Sequence, residues 1–265
     1  MEINGKIAVV TGAAQGIGRA LCVALKDAGA RHVVAVDLDI DGAAETADMV
    51  DGTAVACDVS DQHQVEGMLD KIEADIGPID LMCSNAGILT GKDDSFDNIA
   101  FASTEAWNKA WAVNVMAHVH AARHLIPKMK ARGGGYFMHT ASAAGLLNQV
   151  GSAVYGVTKH AAVGFAEALA LGHKDDNIRV SVLCPQGVDT AMVRNAGDNP
   201  ATADGVLSTQ EVAQKTLDAI RSETFLVLPH EEVAQYMRNK VENYDRWIGG
   251  MAKLQRIYKN ANAKS

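Results

Sequence analysis

The 265-residue chain is long enough for one large domain or two small ones, and a 48% hydrophobic share supplies a sizeable core. Its 24 Lys and Arg against 32 Asp and Glu give a formal charge of −8, which argues against a nucleic-acid or anionic-membrane surface. No apolar run is long enough to span a bilayer, and no basic-then-apolar signal opens the sequence, so a soluble cytoplasmic protein is expected.

In chain order, strand-length apolar runs alternate with helical patterns. Strands are expected near 6–11, 32–37, 53–57, 79–84, 135–140, 178–184 and 225–228. Helices are expected near 16–29, 41–50, 61–76, 104–131, 153–174, 209–222 and 231–247, with a bend at Asn114 or Pro127. The alternation specifies an α/β fold, a doubly wound parallel sheet of about seven strands with helices on both faces. Continuous apolar runs such as Val33–Val36 and Val180–Cys184 suit strands covered on both sides. No compositional break divides the chain, so 1–265 is expected to be one domain with a helical C-terminal extension at 230–265. Cys22, Cys57, Cys83 and Cys184 are far apart and lie in apolar or helical runs, as reduced core thiols do.

Ligands of such sheets bind beyond the carboxyl ends of the strands. The first strand runs into Val9–Gly18, V-V-T-G-A-A-Q-G-I-G, with Gly12, Gly16 and Gly18 between a β-branched run and a helix start. Glycines let backbone N–H groups approach an anion, and the helix N-terminus adds a partial positive charge. An ordinary strand-to-helix turn is the alternative; no Gly-Lys-Ser/Thr follows, which disfavours a nucleotide-hydrolysing loop. The second strand ends at Asp37, a carboxylate suited to the ribose hydroxyls of an adenosine and repulsive to the extra phosphate of NADP. No basic residue stands at Ala13, Ala14, Gln15 or Leu38 to offset it. Helix capping by Asp37 is the competing role, although Asp39 or Asp41 can do it. Asp58, before Val59, suits an adenine amino group or a local cap equally. The small residues of Ser84-Asn85-Ala86-Gly87 let a flat ligand cross the fourth strand tip. His120 and His124 lie one helical turn apart, but no third ligand is evident and no metal is expected.

The fifth strand ends in Thr140-Ala141-Ser142, and Tyr155 and Lys159 follow on a new helix at i and i+4, on one face. Alone such a pair is common; Tyr236 and Lys240 repeat it without an upstream serine. A free phenol near pKa 10 is ionised to about one part in a thousand at pH 7. An ammonium within about 4–6 Å favours the phenolate, which makes Tyr155 a general base, with Ser142 hydrogen-bonding the substrate oxygen. With a nicotinamide alongside, the chemistry is hydride transfer from a carbinol carbon.

From about residue 3 to about residue 228 the chain resembles the short-chain dehydrogenase/reductase superfamily. Thr11–Gly18 matches its T-G-x-x-x-G-x-G loop, Asn85-Ala86-Gly87 its N-A-G element, and Asn114, Ser142, Tyr155 and Lys159 its tetrad. Pro185 to Thr190 matches its P-G-x-x-x-T stretch, except that Gln186 replaces the glycine; Ser84 likewise replaces the first asparagine of N-N-A-G. The resemblance implies a Rossmann-like NAD(P)-binding domain. It implies Tyr155 as acid/base, Lys159 lowering its pKa and binding the nicotinamide ribose, Ser142 positioning the substrate oxygen, and Asn114 holding a relay water. Cofactor contacts are implied at Gly12, Gln15, Gly16, Ile17 and Gly18; at Asp37, Leu38, Asp58 and Val59; and at Asn85, Ala86, Gly87, Pro185, Val188 and Thr190. It also implies a substrate lid at 189–208 and a homodimer or homotetramer.

The expected function is an NAD-dependent dehydrogenase acting reversibly on a small-molecule alcohol or ketone, the alcohol secondary and apolar, with NADP disfavoured by Asp37. A non-catalytic NAD-binding regulator of the same fold, and a carbonyl reductase running in reverse, stay open. The tail carries Val233, Tyr236, Met237, Val241, Tyr244, Trp247, Ile248 and Met251 at helical spacing. It packs either on its own domain or a partner subunit, or over the substrate cleft.

Overall fold

Apolar β-branched runs and amphipathic helical runs alternate along the chain, and the computed structural model, which describes residues 1–93, 96–195 and 202–262, folds them accordingly. The first half is β1 (Ile7–Thr11), α1 (Gly16–Asp27), β2 (His32–Asp37), α2 (Ile40–Val50), β3 (Thr53–Ala56), α3 (Gln62–Asp75) and β4 (Leu81–Ser84). Next come α4 (Thr104–Trp111), a π-helical turn (Ala112–Met116), α5 (Ala117–Ala131), β5 (Gly135–Thr140), α6 (Ala144–Leu147) and α7 (Ala153–Gly172). The chain closes with β6 (Ile178–Leu183), α8 (Ala191–Arg194), α9 (Thr209–Ser222), β7 (Leu226–Val227), α10 (Glu232–Glu242) and α11 (Tyr244–Asn262).

Among the described residues the strands form one seven-stranded parallel sheet, in the order β3-β2-β1-β4-β5-β6-β7. β1 is an interior strand, with Val9 opposite Val34 on one side and Met82 on the other. Strand side chains alternate between two apolar layers. Ala8, Val10, Val33 and Ala35 join the layer under α1, α2 and α9, while Val9, Val34 and Val36 join that under α3, α5 and α7. Each fully buried Val, Leu or Ile contributes about 1.5–3 kcal/mol. The order reverses at β1, so the connections after β1 and β4 part company there and leave a crevice above the strand tips.

The expected bend in the long helical run falls at Asn114, as a π-helical turn; Pro127 lies inside α5 without breaking it. Arg123, whose carbonyl has no N–H to accept from at Pro127, and Pro127 itself both lie on the exposed side of the helix. The tail differs from expectation. One helix over 231–247 is replaced by two, because Asn243 turns to extended backbone and its Oδ1 caps the next helix by accepting from Arg246 N at 2.9 Å. The four cysteines are free and buried, and burial pushes Cys22 and Cys184 up to about 12 and Cys57 to about 11. No helix among the described residues is long and apolar enough to cross a membrane. Gly197 and Pro200 of the expected lid, and the last three residues of the expected extension, lie outside the described residues.

His118 on α5 and His139 on β5 are both buried, their Nδ1 atoms 3.1 Å apart and their rings edge to face at 87°. Burial holds both neutral, taking His139 down to about 3 and His118 well below its ordinary value. An unfolded ring binds a proton near pH 6.5 and a folded one does not, so stability falls as pH drops from 6.5 towards the folded values. For His139 the loss between pH 7 and pH 5 is about 2 kcal/mol, and His118 acts with the same sign. Urea midpoints measured at both pH values are expected to show this loss, and the double substitution His118→Leu with His139→Leu is expected to flatten it.

Candidate active site

The glycine loop sets the geometry at the tip of β1. Gly12 and Gly16 have φ of 66° and 59°, and a Cβ on Gly18 would lie 2.0 Å from the Gly12 carbonyl oxygen. The loop therefore closes only with glycine at these points. Gln15 at the N-cap of α1 makes no side-chain bond, so the first-turn N–H groups keep their capacity for an anion. Thr190 leans on this loop, its Cγ2 3.2 Å from where a Gly16 Cβ would stand. The donor set and the close packing fit a dinucleotide pyrophosphate.

Asp37 holds its place before any ligand contact: Oδ2 accepts from Ala14 N at 3.0 Å and Oδ1 from Asp39 N at 3.1 Å. Asp39, not Asp37, caps α2. Leu38 beside it is 74% exposed, available to a ligand face. Arg19, which the sequence reading passes over, donates to Ala14 O at 2.5 Å and to Thr46 Oγ1 at 2.9 Å, and pairs with Glu45. Its charge is committed to fastening the loop to α2. Asp58 Oδ1 accepts from Ser60 N and Oγ, the local role, and Asp61 caps α3.

Three strand tips are stitched by hydrogen bonds no spacing rule reveals. Thr11 Oγ1 accepts from Asn85 N at 3.0 Å and Ala86 N at 3.1 Å; Asn85 Nδ2 donates to Thr11 O, and Thr140 Oγ1 donates to Asn85 Oδ1 at 3.0 Å. Asn114 is fully buried, and its side chain is spent on structure. Oδ1 accepts from Ile88 N at 2.8 Å, and Nδ2 donates to Ile88 O and to Thr158 Oγ1. Only its backbone carbonyl, inside the π-helical turn, is left for the implied relay.

Ser142, Tyr155 and Lys159 meet beside these tips. Ser152 caps α7 by accepting from Tyr155 N, which fixes the register that turns Tyr155 and Lys159 the same way. Lys159 is buried, its Nζ donating to Thr140 O at 3.1 Å, 5.7 Å from the centre of the Tyr155 ring and 3.1 Å from where a Gly87 Cβ would be. Ser142 Oγ is hydrogen-bonded to the Tyr155 hydroxyl and lies 3.4 Å from Pro185 O. The ammonium lies 5.7 Å from the centre of the phenol ring, and the expected lowering of the phenol does not hold for the protein alone: Lys159 is not among the groups that shift it. Burial pushes Tyr155 up, the Ser142 hydrogen bond opposing, and pulls Lys159 down to about 8.

Gln186, at the departure from P-G, needs no positive φ. Its N–H donates to His230 Nδ1 at 3.2 Å, so His230, also unread in the sequence, pins the turn in the glycine's stead. Val188 pairs with Leu207 and Thr190 caps α8. The roughly 520 Å³ groove between α1 and α9 touches Gly16 and Thr190 at one end but none of the three reacting side chains. His124 bonds Asp70 at 2.7 Å, and no group of three possible metal ligands occurs among the described residues.

A glycine-looped parallel sheet with a Ser-Tyr-Lys cluster at its switch point defines a Rossmann-type oxidoreductase. The family model for short chain dehydrogenases matches residues 6–201. A 1-deoxy-11-beta-hydroxypentalenate dehydrogenase of Streptomyces exfoliatus is 34% identical over 257 residues, covering 94% of this chain and 91% of its own. The human 15-hydroxyprostaglandin dehydrogenase [NAD(+)] is 31% identical, covering 74% of this chain and 73% of its own. The crystal structure of a short chain dehydrogenase/reductase from Burkholderia phymatum in complex with NAD superposes with a TM-score of 0.83 at 28% identity, covering 92% of this chain and 96% of that one. The chain belongs to the short-chain dehydrogenase family.

Proposed function

We propose that the protein is an NAD-dependent alcohol dehydrogenase that interconverts a secondary, apolar alcohol and its ketone. The observation that carries this reading is the convergence of the Tyr155 phenol, the buried Lys159 ammonium and the Ser142 hydroxyl beside the glycine-lined strand tips. Gly12 to Gly18, Asp37, Asn85 to Gly87, Val188 and Thr190 would hold the dinucleotide, which supplies the hydride acceptor when bound. Ser142 donates to the carbinol oxygen, and Tyr155 takes the hydroxyl proton as the C–H bond gives up its hydride and the carbonyl forms. Lys159 favours the phenolate at that moment and loses this effect when it deprotonates above about 8. Replacing Tyr155 with Phe is expected to leave NAD binding within about threefold while turnover falls at least about a thousandfold. Calorimetry and reduced-nicotinamide absorbance measure the two. Full activity would favour a different base, and no activity in either protein would favour the regulatory reading.

The preference for NAD rests on Asp37, fixed by Ala14 and Asp39, with Arg19 already paired. Two like charges about 4 Å apart cost roughly 4 kcal/mol at an effective dielectric near 20, and solvent reduces this to a discrimination of about a hundredfold. Asp37→Ser is expected to lower the KM for NADP about tenfold or more and to raise that for NAD. Equal use of both cofactors by the native enzyme would overturn the assignment.

We also infer a cytoplasmic homodimer or homotetramer. Trp111 of α4 and Val157 and Leu171 of α7 are exposed at 42%, 45% and 82%, apolar surface that a partner copy would cover. Light scattering at micromolar concentration is expected to give at least twice the 28.0 kDa protomer mass.

A further inference from the structure

The second Tyr-x-x-x-Lys, Tyr236 and Lys240, plays no part in hydride transfer, yet both side chains are engaged. Tyr236 OH donates to Asp204 Oδ1 at 2.9 Å, on the connection that leaves β6. Lys240 Nζ donates to Leu146 O at 2.6 Å, on α6 just beyond Ser142, in the connection that leaves β5. At the far end of the tail, Lys259 Nζ reaches Asp97 Oδ1 at 2.6 Å, in the connection that leaves β4. The helix pair α10–α11 is thus pinned to each of the three connections that rise from the strand tips carrying Gly87, Ser142 and Pro185.

Between the pins the contact is apolar. Val233 is fully buried against Ala143 and Leu147, with Tyr236, Met237 and Trp247 packed half-buried around it. A tail that served only to cover the sheet would settle on the helices of its two faces. This one instead bridges the connections that leave the carboxyl ends of β4, β5 and β6.

We infer that α10–α11 is the roof of the substrate cleft, built in the same chain as the reacting groups, and that it selects a bulky, ring-bearing apolar carbinol over a short alcohol. The inference rests on the dehydrogenase reading above. Methionine and aromatic side chains mould to flat apolar surfaces, and a roof held by three polar pins keeps its height above the reacting oxygen. Tyr236 and Lys240 are positioning residues here, acting through the roof.

The test compares decahydro-2-naphthol with 2-propanol, with NAD, in the native enzyme and in Tyr236→Phe/Lys240→Met. The ratio of kcat/KM for the bulky over the small alcohol is expected to fall about tenfold, through the KM of the bulky one. Lys240→Arg, which keeps a donor for Leu146 O, is expected to retain the native ratio. Lys259→Met, at a residue whose side chain is 46% exposed and so no risk to folding, is expected to shift the ratio the same way as the double variant. An unchanged ratio, or equal losses for both alcohols, overturns the roof. If the native enzyme oxidises neither alcohol, the dehydrogenase reading fails and calorimetry of decahydro-2-naphthol with NADH present decides the roof. Binding about tenfold weaker in the double variant supports it; equal binding, or none to the native protein, overturns it.

Discussion

An amine kept out of water is the constraint around which the strand tips are arranged. Lys159 has its ammonium against one carbonyl, Thr140 O, and burial has drawn its proton affinity down to about 8. A charge so placed is costly unless hydrogen-bonded, and its surroundings answer that cost. Thr140 is held by Asn85, Asn85 by Thr11, and Asn114 by Ile88 and Thr158. The hydrogen bonds that tie β1, β4 and β5 together are therefore those that keep the ammonium beside the phenol. Stability and chemistry share the same polar atoms, and a change at Thr11 or Thr140 acts on both.

Much of this was legible in the residues. β2 and β5 fall at 32–37 and 135–140 as read, because continuous apolar β-branched or aromatic runs leave little choice of boundary. The glycine loop declared itself through its place between a strand and a helix. Asn114 advertised itself as a polar side chain in an apolar run that needed a partner, and it has two, Ile88 and Thr158.

What the sequence withheld is tertiary in origin. Nothing in the spacing of Thr11, Asn85 and Thr140 brings them together; only the crossing from β1 to β4 and on to β5 does. Arg19 looked like surface charge and is the brace between loop and α2. His230 could not be paired with Gln186 before β6 and β7 were known to be neighbours. The spacing of Tyr155 and Lys159 said nothing of how deeply both would be buried, and burial is what raises the phenol and lowers the amine in the protein alone. At the tail, Asn243 carried a capping signal that a purely apolar count overlooked.

The strand order also bears on how the chain emerges from the ribosome. β1 and β2 can pair early, but the other edge of β1 waits for β4, since Val9 must meet Met82. Until then a row of unpaired amides and carbonyls flanked by valines is open to other nascent chains. The strand order thus leaves this edge unprotected for as long as β4 is still to be made, a stage at which slower elongation prolongs the exposure.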